Sequence, residues 1–133
     1  MRSRVHVVAG VIYNRHRDQI LVAKRLPRSH LGGYWEFPGG KLQPGEEPLT
    51  ALVRELREEI NIEVKTAEPL IKTDHDYPEK SVTLDVWSVY EWTGVCQGNE
   101  GQVIRWLDID SLDPGQFPAA DHPVIKAIRL APP

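Results

Sequence analysis

The chain has 133 residues, 41% of them hydrophobic and 26% charged, with a net charge of −3 and a single cysteine. That length suits one domain, residues 1–133, able to bury roughly two-thirds of its unfolded surface without covalent staples. The lone Cys96 excludes an internal disulfide framework and points to a reducing cytoplasm, and the negative balance excludes broad binding to a nucleic-acid backbone.

In chain order, "MRSRVHVVAGVIY" carries a short apolar run that reads as a strand, not as a signal or a membrane span, so no membrane association is expected. The β-branched run Val5–Tyr13, the polar turn 14–19 and the run Ile20–Lys24 predict a hairpin. Residues 26–47, "LPRSHLGGYWEFPGGKLQPGEE", hold five glycines and three prolines and are predicted to be mostly loop. Leu49, Leu52, Val53, Leu56 and Ile60 then recur at helical spacing behind Pro48, a residue that costs no hydrogen bond in a first turn. Asn61 ends this helix, because asparagine tolerates the left-handed conformation just past a C-terminus. Strand-like runs follow at Ile62–Val64, Leu70–Thr73, Val82–Tyr90 and Val103–Leu107. A last helix starts near Asp121, with Val124, Ile125 and Ile128 as its apolar contacts. Strands, helix, strands, helix is the order of an α/β fold with a mixed sheet and helices packed against it.

Within the first helix, "RELREEI" places Glu55, Glu58 and Glu59 within an arc of about 100°, beside the apolar stripe. Carboxylates so spaced repel by a few tenths of a kcal/mol each, and the negative end of the helix dipole adds to that cost. Arg54 and Arg57 offset part of it. Read alone, the ridge is either a solvated face paired with arginines or a device for holding a hard divalent cation, which prefers converging carboxylate oxygens. Gly39-Gly40 in the preceding loop lets backbone approach such a site closely.

The stretch "GGKLQPGEEPLTALVRELREEINI" resembles the signature of the Nudix hydrolases: glycine, five residues, glutamate, seven residues, Arg-Glu, an aliphatic, any residue, Glu-Glu, any residue, glycine, an aliphatic. Gly40, Glu46, Arg54, Glu55, Leu56, Glu58, Glu59 and Ile62 match it, and Asn61 replaces the family glycine. "VVAGVIYNRHRDQILVAKR", "WEFPGGK", "EGQVIRWL" and "FPAADHPVI" extend the resemblance, toward the MutT-like nucleoside triphosphate pyrophosphohydrolases, over nearly the whole chain. The resemblance implies an α/β/α sandwich and hydrolysis dependent on Mg²⁺, with Mn²⁺ as a substitute. It implies metal ligation by the Gly39 carbonyl, Glu55, Glu58, Glu59 and Glu100, with Glu55 as the catalytic base. It further implies water attack at the β-phosphorus, giving a nucleoside monophosphate and pyrophosphate. Gly40, Glu46 and Arg54 are expected to brace the site, the arginine fork reaching a carboxylate. Glu100 is otherwise an exposed turn residue. Arg25 reads as a phosphate contact or a strand-end charge, with Lys24 and Lys41 weaker candidates, and Phe37 and Tyr77 as faces for a base or as packing residues. The five histidines show no metal-ligand spacing.

Asp121 bears on which base is read. In the MutT enzymes that clear 8-oxoguanine nucleotides, asparagine stands at this position, and its amide matches both O6 and the N7–H that oxidation creates. An ionised aspartate only accepts, so it suits amino and imino donors of cytosine or guanine and repels O6, whereas a protonated one both donates and accepts. Asp121 also reads as a plain helix N-cap. The expected substrate is a nucleoside triphosphate, 8-oxo-dGTP ahead of CTP, dCTP or a modified cytosine nucleotide. ADP-ribose or dinucleoside polyphosphates are the next reading, and a non-catalytic nucleotide-binding module the last. A monomer or weak homodimer is expected.

Overall fold

The computed structural model describes residues 3–28 and 31–131. Ser29 and His30, within the predicted loop, lie outside the described residues, as do Met1, Arg2 and the last two prolines. In chain order the elements are β1 (Arg4–Tyr13), β2 (Gln19–Lys24), β3 (Trp35–Glu36), β4 (Gly39–Lys41), α1 (Pro48–Ile60), β5 (Ile62–Asp76), β6 (Ser81–Gly94), β7 (Ile104–Asp108) and α2 (His122–Leu130). The sheet runs β3-β2-β1-β6-β5, with β4 paired to β1 and β7 to β2. β1 and β6 are parallel over nine residue pairs and the other ladders are antiparallel, so the sheet is mixed.

Alternation along β1 divides the interior into two layers, because successive side chains of a strand leave opposite faces. Val8 and Ile12 point to one side and pack with Leu52, Leu56 and Ile60 of α1. Val11 and Tyr13 point to the other, where they meet Val124, Ile125 and Ile128 of α2 together with Phe37 and Phe117. The result is the expected sandwich, with a helix on each face of the sheet. Gly10 shares the α1 side, and a Cβ there would come within 3.0 Å of the Leu56 side chain, so glycine lets α1 lie close to the strand.

Several boundaries differ from those read in the sequence. Ile62–Val64 and Leu70–Thr73 belong to one 15-residue strand, and the register shifts near Thr66 and Pro69 break the period that would have joined them. The predicted loop contains β3 and β4, each too short to show a repeating pattern. Val103 precedes β7 and is exposed. Leu49 lies on the rim of α1 and is 42% exposed, while Leu52, Leu56 and Ile60 are fully buried. Asn61 adopts φ 68°, ψ 35°, and its backbone N–H returns to the Arg57 carbonyl, closing the helix in the left-handed conformation.

Candidate active site

The end of α1 lies against β4. Glu59, read in the sequence as lying beside the apolar stripe, is only 7% exposed, tucked between the helix and the glycine strand. Its Oε2 accepts a hydrogen bond from the Gly39 N–H at 3.2 Å. Burial pushes its carboxyl up to about 8, the nearby Glu36, Glu100 and Glu55 charges push the same way, and the Gly39 N–H opposes them. Glu55 points at Gly40: a Cβ on that glycine would sit 2.3 Å from the Glu55 carboxylate. A Cβ on Gly39 would fall 1.9 Å from the Val8 carbonyl oxygen. The two glycines therefore let β4 fit between β1 and the glutamate helix.

Arg54 holds this arrangement in place. Its Nε and Nη2 each donate to a different oxygen of Glu46 at 2.8 Å, a two-pronged pairing across the loop-to-helix junction. Its Nη1 donates to Glu55 at 3.0 Å and to Glu58 at 3.3 Å, and Nη2 reaches the Lys41 carbonyl. The Arg54 hydrogen bonds, with help from the Gln43 N–H, hold the Glu46 carboxyl down at about 2. Arg57 lies apart from the site, paired with Glu63. Glu100 sits exposed in the turn Gly98–Gly101, near enough for its charge to be felt by Glu59 and Glu36.

From Gly39 and Gly40 a cleft of about 240 Å³ runs across the α2 side of the sheet to Asp121. Val7, Val82 and Leu84 give it an apolar floor, and Arg25, Glu36, Phe37 and Tyr77 line it. Phe37 is buried against Phe117, ring centroids 5.3 Å apart, so it is both a core residue and part of the wall. The Tyr77 hydroxyl accepts the Ala120 N–H at 3.0 Å and thereby ties the segment carrying Asp121 to the end of β5. Arg25 pairs with Glu36 at 2.5 Å. Lys24 leans over the Trp35 ring instead of entering the cleft, whereas Lys41 lines it.

Asp121 departs from the capping reading. It occupies the N-cap position of α2, yet its side chain makes no cap hydrogen bond, its backbone is already helical at φ −89°, ψ −9°, and it is 8% exposed in the cleft wall. Burial pushes its carboxyl up to about 7, Glu36 adds to the rise, and Arg25 opposes it. Glu36 is a cleft residue that the sequence reading did not single out. Its neighbours Trp35 and Phe37 mark the segment as buried, and a carboxylate in a buried segment needs a partner such as Arg25.

All of the candidate ligands offer oxygen, the donor set of Mg²⁺ or Mn²⁺. Among the described residues no three acidic, histidine or cysteine side chains already converge as a metal cluster, and Arg54 draws the Glu55 and Glu58 carboxylates toward itself. The residues nonetheless fit a divalent cation. Glu59 is buried among other carboxylates with one N–H as its hydrogen-bond donor, an environment deficient in positive charge, and Gly40 leaves the space in front of Glu55 open.

A mixed sheet between two helices, with a glutamate-bearing helix closing on a Gly-Gly strand, defines the class. Residues 8–127 match the NUDIX domain, and the chain belongs to the Nudix family. It is 34% identical over 127 residues to the 8-oxo-dGTP diphosphatase of Escherichia coli K12, covering 96% of this chain and 98% of that one. It is 36% identical over 124 residues to the CTP pyrophosphohydrolase of the same organism, covering 92% and 90%. A solved MutT structure, from a study of Aliivibrio salmonicida and Vibrio cholerae, matches with a TM-score of 0.83 at 39% identity, covering 95% of this chain and 97% of its own.

Proposed function

We propose that this Nudix hydrolase is a divalent-metal-dependent nucleoside triphosphate pyrophosphohydrolase that converts 8-oxo-dGTP to 8-oxo-dGMP and pyrophosphate, clearing the oxidised nucleotide before a polymerase can use it. The observation that carries the reading is a cleft that runs from Gly39 and Gly40, the strand against which the Glu59 and Glu55 carboxylates lie, to Asp121 in its wall. Its relatives' names support the same choice.

Glu58, Glu59, Glu100, Glu55 and the Gly39 carbonyl would hold Mg²⁺, or Mn²⁺ in its place. When bound, the cation supplies positive charge to the phosphoanhydride oxygens and lowers the pKa of water. Glu55 takes the proton from the water that attacks the β-phosphorus, its orientation set by Arg54 on one side and by the bare Gly40 on the other. Glu46 fixes Arg54 in turn. Arg25, already paired with Glu36, orients the nucleotide, and Phe37 and Tyr77 give the base a wall.

Burial changes what Asp121 can recognise. With a pKa near 7, the carboxyl at neutral pH is protonated in a large fraction of molecules, and a carboxylic acid offers one donor and one acceptor. It then matches O6 and N7–H of 8-oxoguanine as an amide would. The ionised form suits the amino group of cytosine, and the resemblance to a CTP pyrophosphohydrolase makes cytosine nucleotides the second reading. Competing 8-oxo-dGTP against CTP between pH 6 and pH 8.5 tests this. The preference for 8-oxo-dGTP should fall as pH rises through about 7, and Asp121→Asn should abolish that trend. An unchanged ranking across the range, in both proteins, removes Asp121 from base recognition.

A further inference from the structure

The last carbonyls of a helix have no partner within it and must find one elsewhere. In α1 the last three are taken up by a single loop: the Ile60 carbonyl accepts the Gln97 N–H at 2.9 Å, the Glu59 carbonyl accepts the Asn99 N–H at 3.0 Å, and the Glu58 carbonyl accepts Asn99 Nδ2 at 2.9 Å. The same loop carries Glu100. Its turn is closed by the Gly101 N–H on the Gly98 carbonyl, with Gly101 at φ +82°. Gln102 follows, half-buried, and its side-chain amide makes two contacts in opposite senses. Oε1 accepts the backbone N–H of Glu100 at 2.9 Å, and Nε2 donates to the backbone carbonyl of Glu59 at 3.4 Å. One partner is a donor and the other an acceptor, so only one orientation of the amide satisfies both. Gly98 leaves room for this return of the chain, since a Cβ there would lie 2.1 Å from the Gln102 carbonyl oxygen and 3.1 Å from Oε1.

We infer that Gln102 is a positioning residue that sets the distance between Glu100 and Glu59 through its one amide, so that an exposed turn residue and a buried helix residue can act on the same cation. The inference rests on the proposed metal role of Glu100. Without the amide the turn still follows α1 through Asn99, but Glu100 itself loses its fixed point. Gln102 touches neither phosphate nor water in this scheme and acts through Glu100 alone.

Mn²⁺ titration of the full chain, read by the electron paramagnetic resonance signal of the free ion, tests this without turnover. The proteins compared are wild type, Gln102→Met, Glu100→Gln and the double variant, with Gln102→Ala as a second replacement of the amide and melting temperature as the check on folding. Q102M and Q102A should each weaken Mn²⁺ binding about tenfold, within the range for outer-shell partners. E100Q should weaken it at least as much, and the double variant should match E100Q alone. If the Gln102 variants melt lower but bind Mn²⁺ as wild type does while E100Q binds weakly, Gln102 is merely structural and the inference is overturned. Losses that multiply in the double variant overturn it as well, because Gln102 would then act independently of Glu100. Wild-type Mn²⁺ affinity in E100Q sinks the metal role of Glu100 itself.

Discussion

Glu59→Gln should make the metal-free protein more stable while destroying its activity. Glu59 holds its proton with a pKa of about 8 in the folded protein, against an ordinary value of 4.5. Below pH 4.5 both folded and unfolded chains carry the proton and the group has no effect on stability. Between 4.5 and 8 folding takes a proton up, so stability falls as pH rises, and above 8 the penalty is complete. At about 1.4 kcal/mol per pH unit, the cost at pH 7 is about 3 kcal/mol. Glutamine has nearly the same shape, can accept the Gly39 N–H through its oxygen and carries no charge to desolvate. Urea denaturation in EDTA at pH 5 and pH 8 measures the effect. Wild type should lose about 3 kcal/mol more than E59Q between those values, and E59Q should be the more stable protein at pH 8. In Mg²⁺ the variant should show no turnover. Equal pH slopes for the two proteins, or a less stable variant at pH 8, would refute the account of a carboxylate held in a place suited to a cation.

Gly40→Ala should reduce kcat by about 100-fold, because the added methyl falls on the Glu55 carboxylate and a displacement of about 1 Å in a reacting group has that order of cost; steady-state kinetics showing a near wild-type kcat would place Glu55 outside the chemistry. Asn61→Gly should leave kcat within about twofold and shift stability by less than about 1 kcal/mol, since relief of the left-handed backbone offsets the lost Asn61 Nδ2 bond to the Val95 carbonyl. A large loss of activity in N61G would show that the departure from the signature glycine is functional.

Helical spacing and a proline were enough to place α1, and the left-handed tolerance of asparagine placed its end. The spacing of Gly40, Glu46, Arg54, Glu55, Glu58 and Glu59 was equally legible, since a signature of glutamates at fixed intervals survives in the chain as a local pattern. Contacts between distant segments were not. Glu59 sits on the same helical arc as Glu55 and Glu58, and the approach of β4, possible because Gly39 carries no Cβ to meet the Val8 carbonyl, buries it. Asp121 read as a base contact with a helix cap as the alternative, because a cap is a local feature, whereas its place in the cleft wall depends on the Tyr77 contact with Ala120 more than forty residues away. The same holds for Glu36, whose meaning comes from Arg25, and for Gln102, whose amide spans from Glu100 to the end of a helix over forty residues earlier.

The proposed reaction is tested most directly by hydrolysis of 8-oxo-dGTP by the wild-type protein with Mg²⁺ in ¹⁸O-labelled water, with both products resolved by mass spectrometry. Attack at the β-phosphorus should give unlabelled 8-oxo-dGMP and pyrophosphate carrying one ¹⁸O, with no turnover in EDTA. Label in the nucleoside monophosphate, release of orthophosphate in place of pyrophosphate, or undiminished turnover in EDTA would contradict it.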